Sequence, residues 1–469
     1  MDIDLQKFLV RLTGKAKGNP QAWEKWATDL VTFGACQGIS LGAPLAFVSA
    51  AYIVLWGKLN SNIELALAIW SSTEIIFYFY CRYLLLTLER PRPEQQFNNR
   101  CCLRVIDEVI EGSICPKTSI AGWFVPNLAQ NISRDDVRFW FSWARYGKPL
   151  DELTPSERQE ADLFVKRVED KSGPCQSESR RDGPGDTVVT NLSPVATQHK
   201  PLVFYIVAYL IQGLGNCILF SMGFQRIHLQ ETNMNYWFYE PTSEAKDQAP
   251  IFFLHGIGLG LFPYIKQLYD LKTKHPKRII LAIELPYISM IPVSRPHSVD
   301  TTIQAIDTIF GNHNIKACSW LCHSFGTFVA AWLVTYRPHY FSQLSMVDPV
   351  CFASWESDLM HNFFHTKSTS LVQRITHYFL ARDIFLAFSV QRFFYWHQSV
   401  MLPENITFPT TVFLCEHDFL INSKAVQAYL KRAKASHPSL PIRIRSFKGL
   451  THGSFLLTRK YAAVFHQYV

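Results

Sequence analysis

Ser324 stands in Cys322-His323-Ser324-Phe325-Gly326, between the apolar run Lys316 to Cys322 and the helical stretch Phe325 to Tyr336. A nucleophilic hydroxyl must be presented on a sharp strand-to-helix turn whose small neighbours tolerate a strained backbone, and Ser324 has that setting. Cys322 takes the place where a glycine is usual, which puts a thiol in a crowded position. A serine capping an ordinary helix fits the same five residues, so the chemistry depends on partners elsewhere.

His255-Gly256-Ile257-Gly258-Leu259-Gly260 follows an apolar run ending in Leu254. Acyl transfer passes through a tetrahedral oxyanion that fixed backbone N–H groups must meet, and a glycine-rich turn can present them. Ile257 is one candidate donor; Phe325, just after the serine, is the other. A phosphate cradle is the competing reading, but there is no G-K-[ST], and the glycines do not open a helix in the dinucleotide spacing. Asp418 follows the apolar run Thr410 to Cys415, and His452 lies in Gly449-Leu450-Thr451-His452-Gly453-Ser454 after the run Pro441 to Phe447. Serine, acid, histidine is a chain order in which an imidazole can take the hydroxyl proton while the acid orients it. Asp348 also ends an apolar run and is the alternative acid; with Pro349 it serves equally well as a turn.

Other chemistries find little support. His361 and His365 have i, i+4 spacing without the glutamate of H-E-x-x-H or a third ligand. The eleven cysteines include no C-x-x-C pair, and Cys318, Cys322, Cys351 and Cys415 fall in or beside apolar runs, where reduced buried thiols are expected. No metal or organic cofactor is expected.

The elements that must position these residues are short. Ile251 to His255, Arg278 to Glu284, Lys316 to Cys322, Gln343 to Asp348, Thr410 to Cys415 and Pro441 to Phe447 read as buried strands, with Phe325 to Tyr336 and Ser423 to Lys434 among the helices between them. Such alternation predicts an α/β fold, a mostly parallel sheet with helices on both faces, over residues 226–469.

Taken together, H-G-I-G, C-H-S-F-G, a late aspartate and a late histidine at strand ends resemble the α/β-hydrolase superfamily over about the last half of the chain. The whole arrangement looks most like fungal membrane-anchored hydrolases of unassigned substrate. The resemblance implies an eight-stranded sheet, a serine nucleophile at Ser324 and a helical lid after the sixth strand. That lid would run from Pro349 to about Pro403, with Phe363, Phe364, Phe385, Phe388, Phe393, Phe394 and Trp396 in it. Phe393, Phe394 and Trp396 are its candidate substrate contacts, although packing against the sheet accounts for such a stripe equally well.

The chain has 469 residues, 48% hydrophobic and only 18% charged, which leans toward a membrane. Its net charge of +8 is spread along the chain, suiting an anionic membrane surface and giving no basic patch for nucleic acid. Leu30 to Gly57 is an uncharged run long enough to span a bilayer, behind a tail, residues 1–29, whose lysines and arginine predict a cytosolic amino terminus. Leu65 to Leu88 is a second candidate span interrupted by Glu74 and Arg82, so 30–88 reads as an anchor of one or two transmembrane helices. Residues 89–170 read as a helical segment, with Ser133 capping a helix that ends near Tyr146, and 171–200 as a flexible linker rich in Gly and Pro. Leu202 to Phe224, within 201–225, is an apolar helix that spans the bilayer, docks on it or lies against the next domain. Two spans leave the catalytic domain cytosolic and three place it in a lumen; an internal membrane such as the endoplasmic reticulum and a cytosolic domain are the favoured expectation.

These readings converge on a membrane-anchored serine hydrolase acting on an ester or thioester of an apolar acyl compound through an acyl-enzyme, with that substrate and membrane lipid as its partners. A hydrolase of a specialised metabolite and a catalytically idle binding protein of the same fold are the alternatives. Oligomeric state stays open.

Overall fold

The computed structural model describes residues 34, 38–57, 61–88, 99–113, 115–125, 131–179, 186–188, 192, 195, 197–241, 248–293, 296–365, 370–393 and 395–458. The tail 1–29 lies outside them. Two compact units result: Met1–Thr87 with Thr197–Val207 and Lys367–Ile384, and Leu88–Ala196 with Ala208–Thr366 and Phe385–Val469.

The second unit is built on a sheet. After a two-residue ribbon, β1 (Phe124–Val125) with β2 (Asp186–Thr187), come β3 (Gln225–Leu229), β4 (Met234–Tyr239), β5 (Ile251–Leu254), β6 (Ile280–Ile283), β7 (Cys318–His323), β8 (Phe341–Val347), β9 (Thr410–Cys415) and β10 (Ile442–Phe447). The eight main strands lie in the order β10-β9-β8-β7-β5-β6-β4-β3. β4 runs antiparallel to both its neighbours, β3 and β6, and every other pairing is parallel. β5, β6, β7 and β9 are buried along their whole length, which is why each reads as a continuous apolar run with no alternation. All six strands expected from the sequence are present. The β3–β4 hairpin was not among them, because its strands mix Gln, Arg, His and Asn with the aromatics of Met234–Tyr239.

The mainly parallel sheet with its helices is thus the expected fold class. Under one face, Trp237, Phe253, Leu268, Leu271, Phe413 and Phe447 belong to a single buried cluster. The helix Arg134–Tyr146 begins as expected: Ser133 Oγ accepts the N–H of Asp136, and Asp136 accepts that of Ser133 in return. Trp140 and Phe141 from it pack on Phe164. Residues 89–170 cluster with the sheet and form no separate unit. The 171–200 linker is also pinned in part: its Gln176 donates to Ile132, its Ser177 and Glu178 carbonyls accept from Arg134 and Asp135, and Asp186–Thr187 pairs with Phe124–Val125. Among the described residues these bonds hold the backbone at Gln176 to Glu178 and at Asp186–Thr187.

The insert after β8 is helical, with Asp358–Phe364, Leu371–Ile375 and Ile384–Arg392. It does not form one element from 349 to 403, since Lys367–Ile384 clusters with the first unit.

Two of the membrane candidates are described along their whole helices. Asn62–Thr87 and Leu202–Ser221 are long and apolar enough to cross a bilayer. Leu30 to Gly57 lies partly outside the described residues; within it a helix runs over Gly42–Trp56, and residues 34 and 38–40 are helical as well. Glu74, whose charge interrupted the second candidate, is buried and accepts the Leu202 N–H at 2.7 Å, with His199 Nε2 at 3.4 Å. Its carboxylate therefore caps the amino end of the helix Leu202–Ser221, where an anion is favoured. Asp383 is buried too and accepts from the Tyr205 hydroxyl at 2.6 Å.

Candidate active site

Ser324 sits on the turn between β7 and the helix Gly326–Tyr336 with φ of 49°, a left-handed conformation rare for a residue with a side chain. Its N–H donates to Val347 O at 3.1 Å, prolonging the β7–β8 pairing one residue past the strand. The turn is tight because Gly326 lies against β5: a Cβ there would sit 2.5 Å from Leu254 O. Cys322, in place of the usual glycine, is buried, and burial holds its thiol well above the ordinary range, so it is inert.

The remaining expected partners converge on this hydroxyl. His452 Nε2 lies 2.9 Å from Ser324 Oγ, and His452 Nδ1 lies 2.7 Å from Asp418 Oδ2. Asp418 Oδ1 accepts the N–H groups of Leu420 and Ile421, which fixes the carboxylate that faces the ring. With Asp418 accepting, the imidazole carries its proton on Nδ1 and offers Nε2 to the serine. Burial disfavours the imidazolium, but Asp418 and, more weakly, Asp348 outweigh it and raise the His452 pKa.

Asp348 stands beside this array rather than in it. Oδ1 accepts the Cys415 N–H at 3.1 Å, and Oδ2 accepts the Gly453 N–H at 2.9 Å and the Cys415 thiol at 3.4 Å. Burial lifts its pKa to about 6, against the opposing pull of His452.

Ile257 lies in the loop after β5, and among the described residues no group accepts its N–H. Gly258 N–H is instead committed to Ile288 O at 3.0 Å. Two buried side chains hold this loop. His255 Nε2 accepts from Leu285 N–H, and the Tyr264 hydroxyl accepts from Gly256 N–H, both within 3.0 Å. Gly256 passes so near the nucleophile that a Cβ would stand 2.9 Å from Ser324 Cβ. Phe325 follows Ser324 at the helix start, and its ring meets Tyr287, which in turn meets His297. His297 lines a cavity of about 350 Å³ with Pro296, Ser298, Val299, Thr301, Phe393 and Gln398.

Of the lid residues, Phe393 reaches that cavity, while Phe363, Phe364, Phe385 and Phe388 are buried as core. Phe394 and the Trp396 side chain lie outside the described residues. Tyr264 and His323 were missed as site residues: Tyr264 lies in no motif, and His323 sits inside the serine pentapeptide with nothing in the sequence to show what its ring meets.

No protein-family model matches the chain, and no curated protein does. Solved structures align with part of the chain at low identity. A membrane phospholipase A, described as a bacterial virulence factor, aligns at 14% identity and TM-score 0.40, over 57% of this chain and 92% of its own. A serine hydrolase from Cycloclasticus zankles aligns at 15% and 0.38, over 52% and 97%. An α/β-hydrolase enzyme from a lagoon-sediment metagenome of Mar Chica, Morocco, aligns at 15% and 0.34, again over 52% and 97%.

Proposed function

We propose that this protein is a membrane-associated serine hydrolase that cleaves an ester or thioester of an apolar acyl compound through an acyl-enzyme. The observation that carries the reading is His452 bridging Ser324 and Asp418 at 2.9 and 2.7 Å. His452 Nε2 takes the Ser324 proton as Oγ adds to the acyl carbon, and Asp418 holds the ring and stabilises the imidazolium. The N–H groups of Ile257 and Phe325 receive the oxyanion. His452 then returns the proton to the departing alcohol or thiol. Water, deprotonated by the same imidazole, cleaves the acyl-enzyme and restores Ser324.

Membrane association is supported by the two long apolar helices and by the exposed Val203, Ile206, Tyr209, Leu210 and Leu214 on the second of them. An internal membrane with the sheet-bearing unit in the cytosol is part of the same proposal. A second reading, a hydrolase of a specialised metabolite carrying polar groups, is favoured by the polar share of the cavity lining: His297, Ser298, Thr301 and Gln398. The test is Ser324→Ala in the full chain. It should abolish both fluorophosphonate labelling and p-nitrophenyl ester hydrolysis without lowering the melting temperature. Labelling that survives the substitution overturns the assignment, and a wild-type protein that neither labels nor hydrolyses returns it to a binding role.

A further inference from the structure

Three buried titratable groups near Ser324 take no part in the mechanism above: Tyr264, His323 and Asp348. They lie in line. Gly256 N–H donates to Tyr264 Oη at 2.9 Å, and Tyr264 Oη lies 2.6 Å from His323 Nδ1. Burial raises the phenol pKa and lowers that of the imidazole, so both are neutral at physiological pH. Tyr264 Oη accepts the Gly256 N–H and keeps its own proton for a further partner; given to His323 Nδ1, that proton leaves the His323 hydrogen on Nε2. That Nε2 has no hydrogen-bond partner among the described residues and faces Asp348 Oδ2 at 3.9 Å. Asp348 Oδ2 in turn accepts the N–H of Gly453, next to His452.

The two ends of this line are the two backbone segments that the reaction needs in register. Gly256 precedes Ile257, and Gly453 follows His452. Resting on the Ser324–His452–Asp418 assignment, we propose that Asp348, His323 and Tyr264 are positioning residues that tie the oxyanion loop to the histidine loop behind the nucleophile. Two strained positions agree with a built device: Asp348 has φ of 47° and Ser324 of 49°, at the ends of adjacent strands. Asp348 also accepts from Cys415 N–H at the end of β9, three residues before Asp418, so one carboxylate fixes both the acid-bearing and the histidine-bearing segments.

The experiment compares Asp348→Asn, Tyr264→Phe, their double variant and Asp418→Asn in the full chain, with steady-state kinetics on a p-nitrophenyl ester and a pH profile of kcat/KM. Each single positioning variant should lower kcat about ten- to a hundredfold, the size of one hydrogen bond to a charged or buried group, with KM unchanged. The double variant should lose less than the product of the two single losses. Asp348→Asn should also move the acid limb of the profile to lower pH. The groups facing His452 are Asp418, Asp348 and His323, and removing one negative charge disfavours the imidazolium. Wild-type kcat in both single variants, or full multiplicativity in the double, overturns the positioning line while leaving the triad intact. A larger loss for Asp348→Asn than for Asp418→Asn overturns the triad assignment itself. If Asp348→Asn does not fold, Tyr264→Phe decides alone: a kcat loss at constant KM supports the line, and unchanged kcat refutes it.

Discussion

Asp348 Oδ2 accepts the Gly453 N–H at 2.9 Å, so the residue after His452 is fixed by a carboxylate that makes no hydrogen bond to the imidazole. Two aspartates at the ends of adjacent strands thus divide one task. Asp418 meets the ring, and Asp348 meets the loop that carries it.

The pH dependence follows from this division. Asp418 raises the His452 pKa above its ordinary 6.5, and only the neutral ring can accept the Ser324 proton. Activity of the wild-type protein should therefore climb as pH rises toward about 9 and be lost as His452 protonates below it. Asp418→Asn removes the charge that favours the imidazolium, so the acid limb of kcat/KM should shift to lower pH while turnover drops by about 10⁴ through loss of ring orientation. A limb that stays in place would mean that another group sets it.

Gly256→Ala tests the packing of the oxyanion loop. The added Cβ would meet Ser324 Cβ at 2.9 Å and His323 Nδ1 and Tyr264 Oη at 3.0 Å, none of them the free end of a flexible chain. The loop must retreat from the nucleophile, carrying Ile257 N–H with it. A kcat loss of about a hundredfold or more is expected, the cost of one oxyanion donor, with most of the thermal stability kept. Gly213→Ala, where a Cβ meets nothing within 4 Å, is the matched control and should leave kcat unaltered.

How much of this was legible in the sequence depends on what each residue answers to. Ser324, Asp418 and His452 could be found because proton transfer demands those residue types, and strand ends, marked by apolar runs, are where such a fold can present them. Asp418 could be favoured but not fixed against Asp348, because both follow strands and only the fold decides which carboxylate faces the ring. Tyr264 and His323 meet across 59 positions through burial alone, which leaves no periodicity to read. Hydropathy likewise found the apolar runs. It penalised Glu74 without revealing that a helix amino terminus neutralises it.

Phe393 separates an acyl-binding role from plain packing. It lines the cavity of about 350 Å³, whereas Phe385 and Phe388 are buried in the unit's interior. If the cavity takes the acyl chain, kcat/KM of the wild type should rise about fourfold per methylene until the cavity is filled, as each buried CH₂ contributes about 0.8 kcal/mol. Phe393→Ala should flatten that dependence on a series of p-nitrophenyl esters. An unchanged profile with a lowered melting temperature would assign Phe393 to the core.

The membrane reading is tested on the helices Asn62–Leu88 and Leu202–Ser221. The full chain should stay with membranes through high salt and carbonate and leave them only in detergent, because apolar burial over a span far exceeds any screened attraction of its +8 charge. Release by salt alone would place both helices inside protein. Glu74 links them, through its 2.7 Å bond to Leu202 N–H. Glu74→Ala strands that N–H and removes the anion at the helix start, a loss of about 1.5 to 3 kcal/mol that should appear as a lower melting temperature in detergent. Glu74→Gln keeps an acceptor without the charge and should fall between the two. Equal melting temperatures for all three proteins would show that the helix Leu202–Ser221 holds its place by apolar packing and does not need the carboxylate.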